Sequence, residues 1–182
     1  MSTREVRWLL VGGAGALWMS SALAQQGPNL GAEISAADAA GWDISIQPDG
    51  TGLPPGGGKA ADGAKIYATK CIACHGADGA GQPNDRLVGG QGTLTQFAQV
   101  RTVGSYWPYA TTVFDYIRRA MPFQAPESLT NSEVYALTAY VLAKNGIIRE
   151  RDEMNARTLP KVRMPNWDGF VISYPQRAGG TP

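Results

Sequence analysis

The chain has 182 residues, 43% of them hydrophobic and 17% charged, which is enough to bury one core and too little for two large ones. Its formal charge of +1 provides neither the basic footprint of a nucleic-acid binder nor a broad attraction to anionic lipid. With 23 glycines and 12 prolines, much of the chain is expected to be loop.

Residues 1–24 read as a signal peptide. Arg4 and Arg7 form a positive start, residues 8–18 are apolar and uncharged, and Ala22-Leu23-Ala24 places small residues before a cut at Gln25. The apolar run is shorter than the roughly 20 residues that span a bilayer, so cleavage is favoured over retention as an anchor, leaving no stable membrane span after processing. Loss of this leader removes two arginines and one glutamate and brings the formal charge from +1 to zero. Any charged docking surface is then local.

Residues 25–59 are rich in Gly, Pro, Asp and Ala, including Pro54-Pro55-Gly56-Gly57-Gly58, and read as an extended N-terminal arm. Within it, Trp42 and Ile44-Ser45-Ile46 are able to lie on a surface of the same chain or of a partner. Residues 60–70, Ala-rich and without proline, predict a helix running into Cys71, and a glycine-rich loop follows over 76–92. A short helix is expected over 93–100. A better one covers 109–120, with Val113, Phe114 and Ile117 at helical spacing and Pro108 where a first-turn proline is tolerated. The most secure helix is 131–145: Thr130 and Glu133 make a capping box, Val134, Leu137 and Val141 an apolar stripe, and Gly146 a stop. Residues 147–182 read as an irregular C-terminal tail along the domain or a neighbour, so that a chain ending at Gly146 keeps its fold. No alternation is long enough to require a sheet. The prediction is an all-α domain over 60–146, of three to five helices, with long irregular ends.

Cys71-Ile72-Ala73-Cys74-His75 is the C-x-x-C-H pattern of covalent haem attachment. Two thiols three positions apart each form a thioether with a haem vinyl group, and the adjacent histidine lies under the iron. Both cysteines and the sole histidine of the chain fall within these five residues. A structural zinc site needs four ligands, a thioredoxin-type dithiol follows a strand, and a plain disulfide leaves His75 unexplained. One haem c is therefore expected. With no second histidine, the other axial ligand is a methionine, which raises the reduction potential. Met121, Met154 and Met164 compete: Met121 precedes Pro122 between two helices, Met164 precedes a proline in the tail, and Met154 sits in a charged stretch suited to solvent. Met121 is the best placed. Tyr106, Trp107 and Tyr109 pack a core or line the haem edge and donate to a propionate. Arg118 and Arg119 face a propionate, a partner's acids or solvent.

The order of helix, C-x-x-C-H, glycine-rich loop, Met-Pro and amphipathic helix resembles class I cytochromes c over about 60–146. The resemblance implies that Gly63 and Tyr67 cross Tyr140 where two helices meet, and that Leu87 and Gly89 form a haem-packing Leu-x-Gly. The family's proline two residues before that leucine, whose carbonyl accepts from the ligand histidine, is Asp85 here. A narrower resemblance, from Trp42 almost to Tyr174, is carried by 42–46, 85–90, 103–112, 115–122 and 155–166. These segments look like the cytochrome subunits of bacterial sulfane dehydrogenase (Sox system) and sulfite dehydrogenases. It implies a periplasmic electron carrier rather than an enzyme, accepting from a molybdenum-containing sulfur-compound dehydrogenase subunit and passing electrons to a downstream cytochrome or oxidase. The Sox subunit typically carries two haems, whereas this chain has one C-x-x-C-H. A quinoprotein or other periplasmic dehydrogenase is the alternative donor, and a haem enzyme acting on substrate itself is the rival from another class.

Overall fold

The computed structural model describes residues 30–171. They fall into two units, divided between Asp43 and Ile44. The expected leader lies outside the described residues, and so does the end of the tail.

In the first unit one short helix, α1 (Ala36–Ala40), interrupts the expected arm. Ser35 caps it, its hydroxyl accepting from the Asp38 N–H at 3.1 Å. Trp42 is 88% exposed.

The second unit contains β1 (Gly57–Lys59), α2 (Ala60–Lys70), the single turn α3 (Ile72–His75), a 3-10 turn (Ala77–Gly79), α4 (Ala110–Ala120), α5 (Asn131–Lys144), β2 (Glu153–Asn155) and a 3-10 turn (Leu159–Lys161). Helix α5 is its axis. Every residue from Val134 to Leu142 is buried, so the helix is covered on all sides rather than along one stripe. The capping box forms as expected: the Thr130 hydroxyl accepts from the Glu133 N–H at 3.3 Å, and the Glu133 carboxylate accepts from the Thr130 N–H at 2.8 Å. At the other end Gly146, at φ +67°, donates to the Ala143 carbonyl, and Ile147 donates to that of Leu142. These two bonds make a Schellman stop.

Helix α2 crosses α5 at Gly63. A Cβ there would fall on the Ala136 carbonyl oxygen and 2.8 Å from the Tyr140 Cβ, so only glycine permits this approach. Beside the crossing, the Tyr67 and Tyr140 rings lie 4.9 Å apart. Helix α4 buries Val113 and Phe114, and Phe114 stacks on Tyr135 with centroids 4.3 Å apart. Pro108 stands just before the N-cap Tyr109 rather than in the first turn.

Three expectations are corrected by packing. A small sheet exists: β1 and β2 pair antiparallel with Gly58 opposite Met154, and Gly58 lies so close to Ala136 that a Cβ would come within 2.5 Å of its nitrogen. The tail contributes to the core, since Met154, Leu159 and Met164 are 4%, 0% and 1% exposed. Met154 is therefore not a solvent residue, and a chain ending at Gly146 would lose all three side chains. Residues 93–100 form turns, not a helix, because the Thr93 side chain competes for the backbone: its hydroxyl donates to the Gly90 carbonyl at 2.7 Å and accepts from the Val100 N–H at 3.0 Å. The arm from Ile44 onward also belongs to this unit, with Ile46 and Leu53 packed against the core.

Candidate functional site

Cys71 ends α2, its N–H donating to the Tyr67 carbonyl at 3.0 Å, and α3 begins at once. The Cys74 and His75 N–H groups both donate to the Cys71 carbonyl, at 3.1 and 3.0 Å. A helical turn puts residues three apart on one face, so both thiols look into the same space. Gly76, at φ +72°, reverses the chain; a Cβ there would come 2.5 Å from the Gly81 carbonyl oxygen. The Gly81 N–H in turn donates to the His75 carbonyl at 2.8 Å, and the Tyr67 hydroxyl donates to that of Gly76 at 2.9 Å.

His75 Nδ1 lies 2.9 Å from the Asp85 carbonyl oxygen. A carbonyl only accepts, so Nδ1 is the donor, and in the neutral ring Nε2 is left with the lone pair that could bind a metal. The residue standing where the resembled family has proline thus supplies its carbonyl all the same. The loop behind it is tied down by the Asn84 N–H donating to Cys74 at 2.8 Å and the Leu87 N–H to Gly79 at 2.9 Å.

Cys71, Cys74, His75, Leu87, Trp107 and Met121 all line one cleft. Val113 and Ile117 of α4, and Leu137 and Val141 of α5, supply much of its apolar wall. The space free of protein atoms is about 980 Å³ including the open mouth, at the upper end of the range for ligand sites. Met121 caps α4 in an extended conformation, its N–H donating to Ile117 at 3.1 Å. Met154 and Met164 lie in the hydrophobic core and do not line the cleft. Trp107 meets Tyr116 edge-on at 5.5 Å, and both rings border the cavity.

Tyr106, expected at the haem edge with Trp107, does not line the cleft. Its ring packs against Phe170 at 5.2 Å and under the Arg101 guanidinium, and its carbonyl accepts from Asn166 at 2.8 Å. Arg119 is engaged by Asp115 at 2.8 Å, an ordinary i,i+4 pair on the helix face.

Burial pushes the Cys71 thiol up to about 11, so in the polypeptide it is protonated and unlike the depressed thiol of a redox dithiol. Cys71 and Cys74 form no disulfide. Among the described residues no cluster of three or more His, Cys, Asp or Glu side chains is arranged to hold a metal ion. Paired thiols, a histidine, a thioether and a largely apolar cleft fit a covalently attached haem.

The cytochrome c family model matches residues 60–144. A chain of the crystal structure of the sulfane dehydrogenase SoxCD from Paracoccus pantotrophus is 38% identical, over 83% of this chain and 73% of that one, with a TM-score of 0.74. The chain belongs to the cytochrome c family. Membership implies covalently bound haem c and electron transfer, and the helical arrangement is that of a class I cytochrome c. Comparison with curated proteins gives no match. No helix among the described residues is long and apolar enough to cross a membrane.

Reasoning from the sequence missed Tyr116, Leu129 and Phe123 as cleft residues. Tyr116 and Leu129 had a usable signal. One falls four residues before Ala120 on a helix already placed beside Met121, and the other is the apolar residue just before a capping box.

Proposed function

We propose that this cytochrome is the electron-accepting partner of a molybdenum-containing sulfur-compound dehydrogenase, works in the periplasm, and carries one haem. Cys71 and Cys74 would hold that haem as thioethers, and His75 and Met121 would bind its iron. The observation that carries the partner assignment is the reach of the likeness to the sulfane dehydrogenase chain: it extends well beyond the residues 60–144 that the cytochrome c family model matches. A likeness confined to the haem fold would favour no partner in particular.

When bound, haem supplies an iron that cycles between ferric and ferrous states. The chain's own residues do the rest. The Asp85 carbonyl orients His75 and raises its basicity, and the Met121 thioether favours the reduced iron. The apolar side chains from α4 and α5 that line the cleft would shield the bound haem from water. With His75 and Met121 both bound to the iron no position would be left for a substrate, which supports electron transfer over chemistry on a sulfur compound.

Stopped-flow mixing of the oxidised cytochrome with the catalytic subunit of its own organism and a sulfur substrate tests the proposal. Fast, saturable reduction is expected. Reduction by a quinoprotein dehydrogenase but by no molybdenum enzyme would transfer the donor role to the former.

A further inference from the structure

Asn145 follows the last turn of α5, a position where a helix needs only a stop, yet it is 8% exposed and all its side-chain polar atoms are engaged. Its Oδ1 accepts from the Gly89 N–H at 2.9 Å. Its Nδ2 donates to the Leu87 carbonyl at 3.2 Å and to the Val141 carbonyl at 2.9 Å. Its own carbonyl accepts from Gln91 Nε2 at 2.8 Å. The fold makes room for this side chain: a Cβ on Gly104 would fall on Asn145 Oδ1. Gly89 is gripped on its other side as well, its carbonyl accepting from the buried Thr102 hydroxyl at 2.5 Å.

The segment so held runs back from Gly89 through Leu87, which lines the cleft, to Asp85, whose carbonyl takes the His75 Nδ1 proton. Apart from the Thr102 bond to Gly89, the ties of that segment go to Cys74, Gly79 and Ala80, which belong to the same local loop as His75. Asn145 joins it to the central helix.

We propose that Asn145 is a positioning residue for His75: by fixing Leu87 and Gly89 to the end of α5, it sets where the Asp85 carbonyl stands and hence the orientation and basicity of the imidazole. A carbonyl that wanders weakens the Nδ1 hydrogen bond and makes the imidazole a poorer donor to iron, which disfavours the ferric state. The competing account is an ordinary helix stop that contributes stability alone.

The test uses the holoprotein in its ferrous state, labelled with nitrogen-15. In Asn145→Ala and in Asn145→Asp, which keeps the Gly89 acceptor but sets an oxygen against the Leu87 carbonyl, the His75 Nδ1 proton should exchange with solvent at least tenfold faster. The midpoint potential should rise. Thr130→Ala, which removes the cap at the opposite end of the same helix, should lower the melting temperature and leave both readouts unchanged. Equal behaviour of the Asn145 and Thr130 variants would overturn the proposal. In the wild type, which needs no variant to fold, the Gly89 amide and the His75 Nδ1 proton should exchange with a common protection, and protection factors differing tenfold or more would also overturn it. The proposal rests on His75 as an iron ligand, which the wild-type spectrum checks separately: ring protons of His75 without a large haem ring-current shift would remove that premise, whereas shifted protons indifferent to Asn145 would remove only the positioning role.

Discussion

Gly63→Ala asks whether backbone contact between α2 and α5 holds the domain together. By helix propensity alone the change should stabilise, since alanine is favoured over glycine in a helix interior by about 1 kcal/mol. Here the new methyl would land on the Ala136 carbonyl oxygen and 2.8 Å from the Tyr140 Cβ. A backbone oxygen cannot turn aside as a side chain does, so the cost belongs at the upper end of overpacking, about 3 kcal/mol. Separating the helices also loosens the Tyr67–Tyr140 pair, whose centroids are 4.9 Å apart, at a further cost of about 1 kcal/mol. The net expectation is a loss of about 3 kcal/mol, or roughly 6–12 °C in melting temperature for a chain of this size. Thermal unfolding of the holoprotein followed by far-UV circular dichroism measures it, with Ala68→Gly on the exposed side of α2 as the propensity reference at about 1 kcal/mol. A Gly63→Ala protein melting at or above the wild type would refute the crossing argument.

Cys71→Ala or Cys74→Ala should sharply reduce holoprotein, and haem staining after denaturing electrophoresis should mark the wild-type polypeptide; acid-acetone removal of all the colour would exclude covalent attachment. Met121→Ala should abolish the long-wavelength sulfur-to-iron band of the ferric protein, admit added ligands and lower the potential; a persisting band would return the ligand to another sulfur. The Thr130 backbone N–H holds the Glu133 carboxyl below its ordinary 4.5. Its contribution is therefore complete above that value and lost as pH falls through the lowered one. Glu133→Gln should cost about 0.5 kcal/mol at neutral pH, and the gap in denaturation midpoint should close in acid. A chain ending at Gly146 loses Met154, Leu159 and Met164 from the core; at about 2–5 kcal/mol each this exceeds a typical domain's margin, so the truncated chain should be unfolded by circular dichroism and degraded by protease.

Covalent chemistry and helix geometry were legible because they demand fixed spacings. Two thioethers and a ligand require C-x-x-C-H, and α2, α4 and α5 announce themselves through capping residues and apolar positions three or four apart. What escaped notice lacks a period. Met154, Leu159 and Met164 are five residues apart because turns deliver each of them to the core, and five matches neither helix nor strand. The stripe read on α5 understated its burial because alanines and tyrosines fill the remaining faces, and their burial depends on neighbours distant in sequence. Asn145 reads only as the last residue of a helix that Gly146 stops; its role depends on partners 54 to 58 residues earlier. Tyr106 and Trp107 are adjacent amphipathic aromatics, and nothing in their sequence separates the one that lines the cleft from the one that does not.

The antiparallel pairing of β1 with β2 has a consequence for timing. Gly58 meets Met154 across nearly a hundred residues, and the cleft walls at Val113, Ile117, Leu137 and Val141 all follow Cys71 in the chain. In a polypeptide emerging N-terminus first, the two thiols and His75 appear before the surfaces that enclose them and before the strand that pairs with β1. The attachment site therefore passes through an interval in which it is chemically complete but sterically open. The length of that interval is set by how fast the final third of the chain arrives.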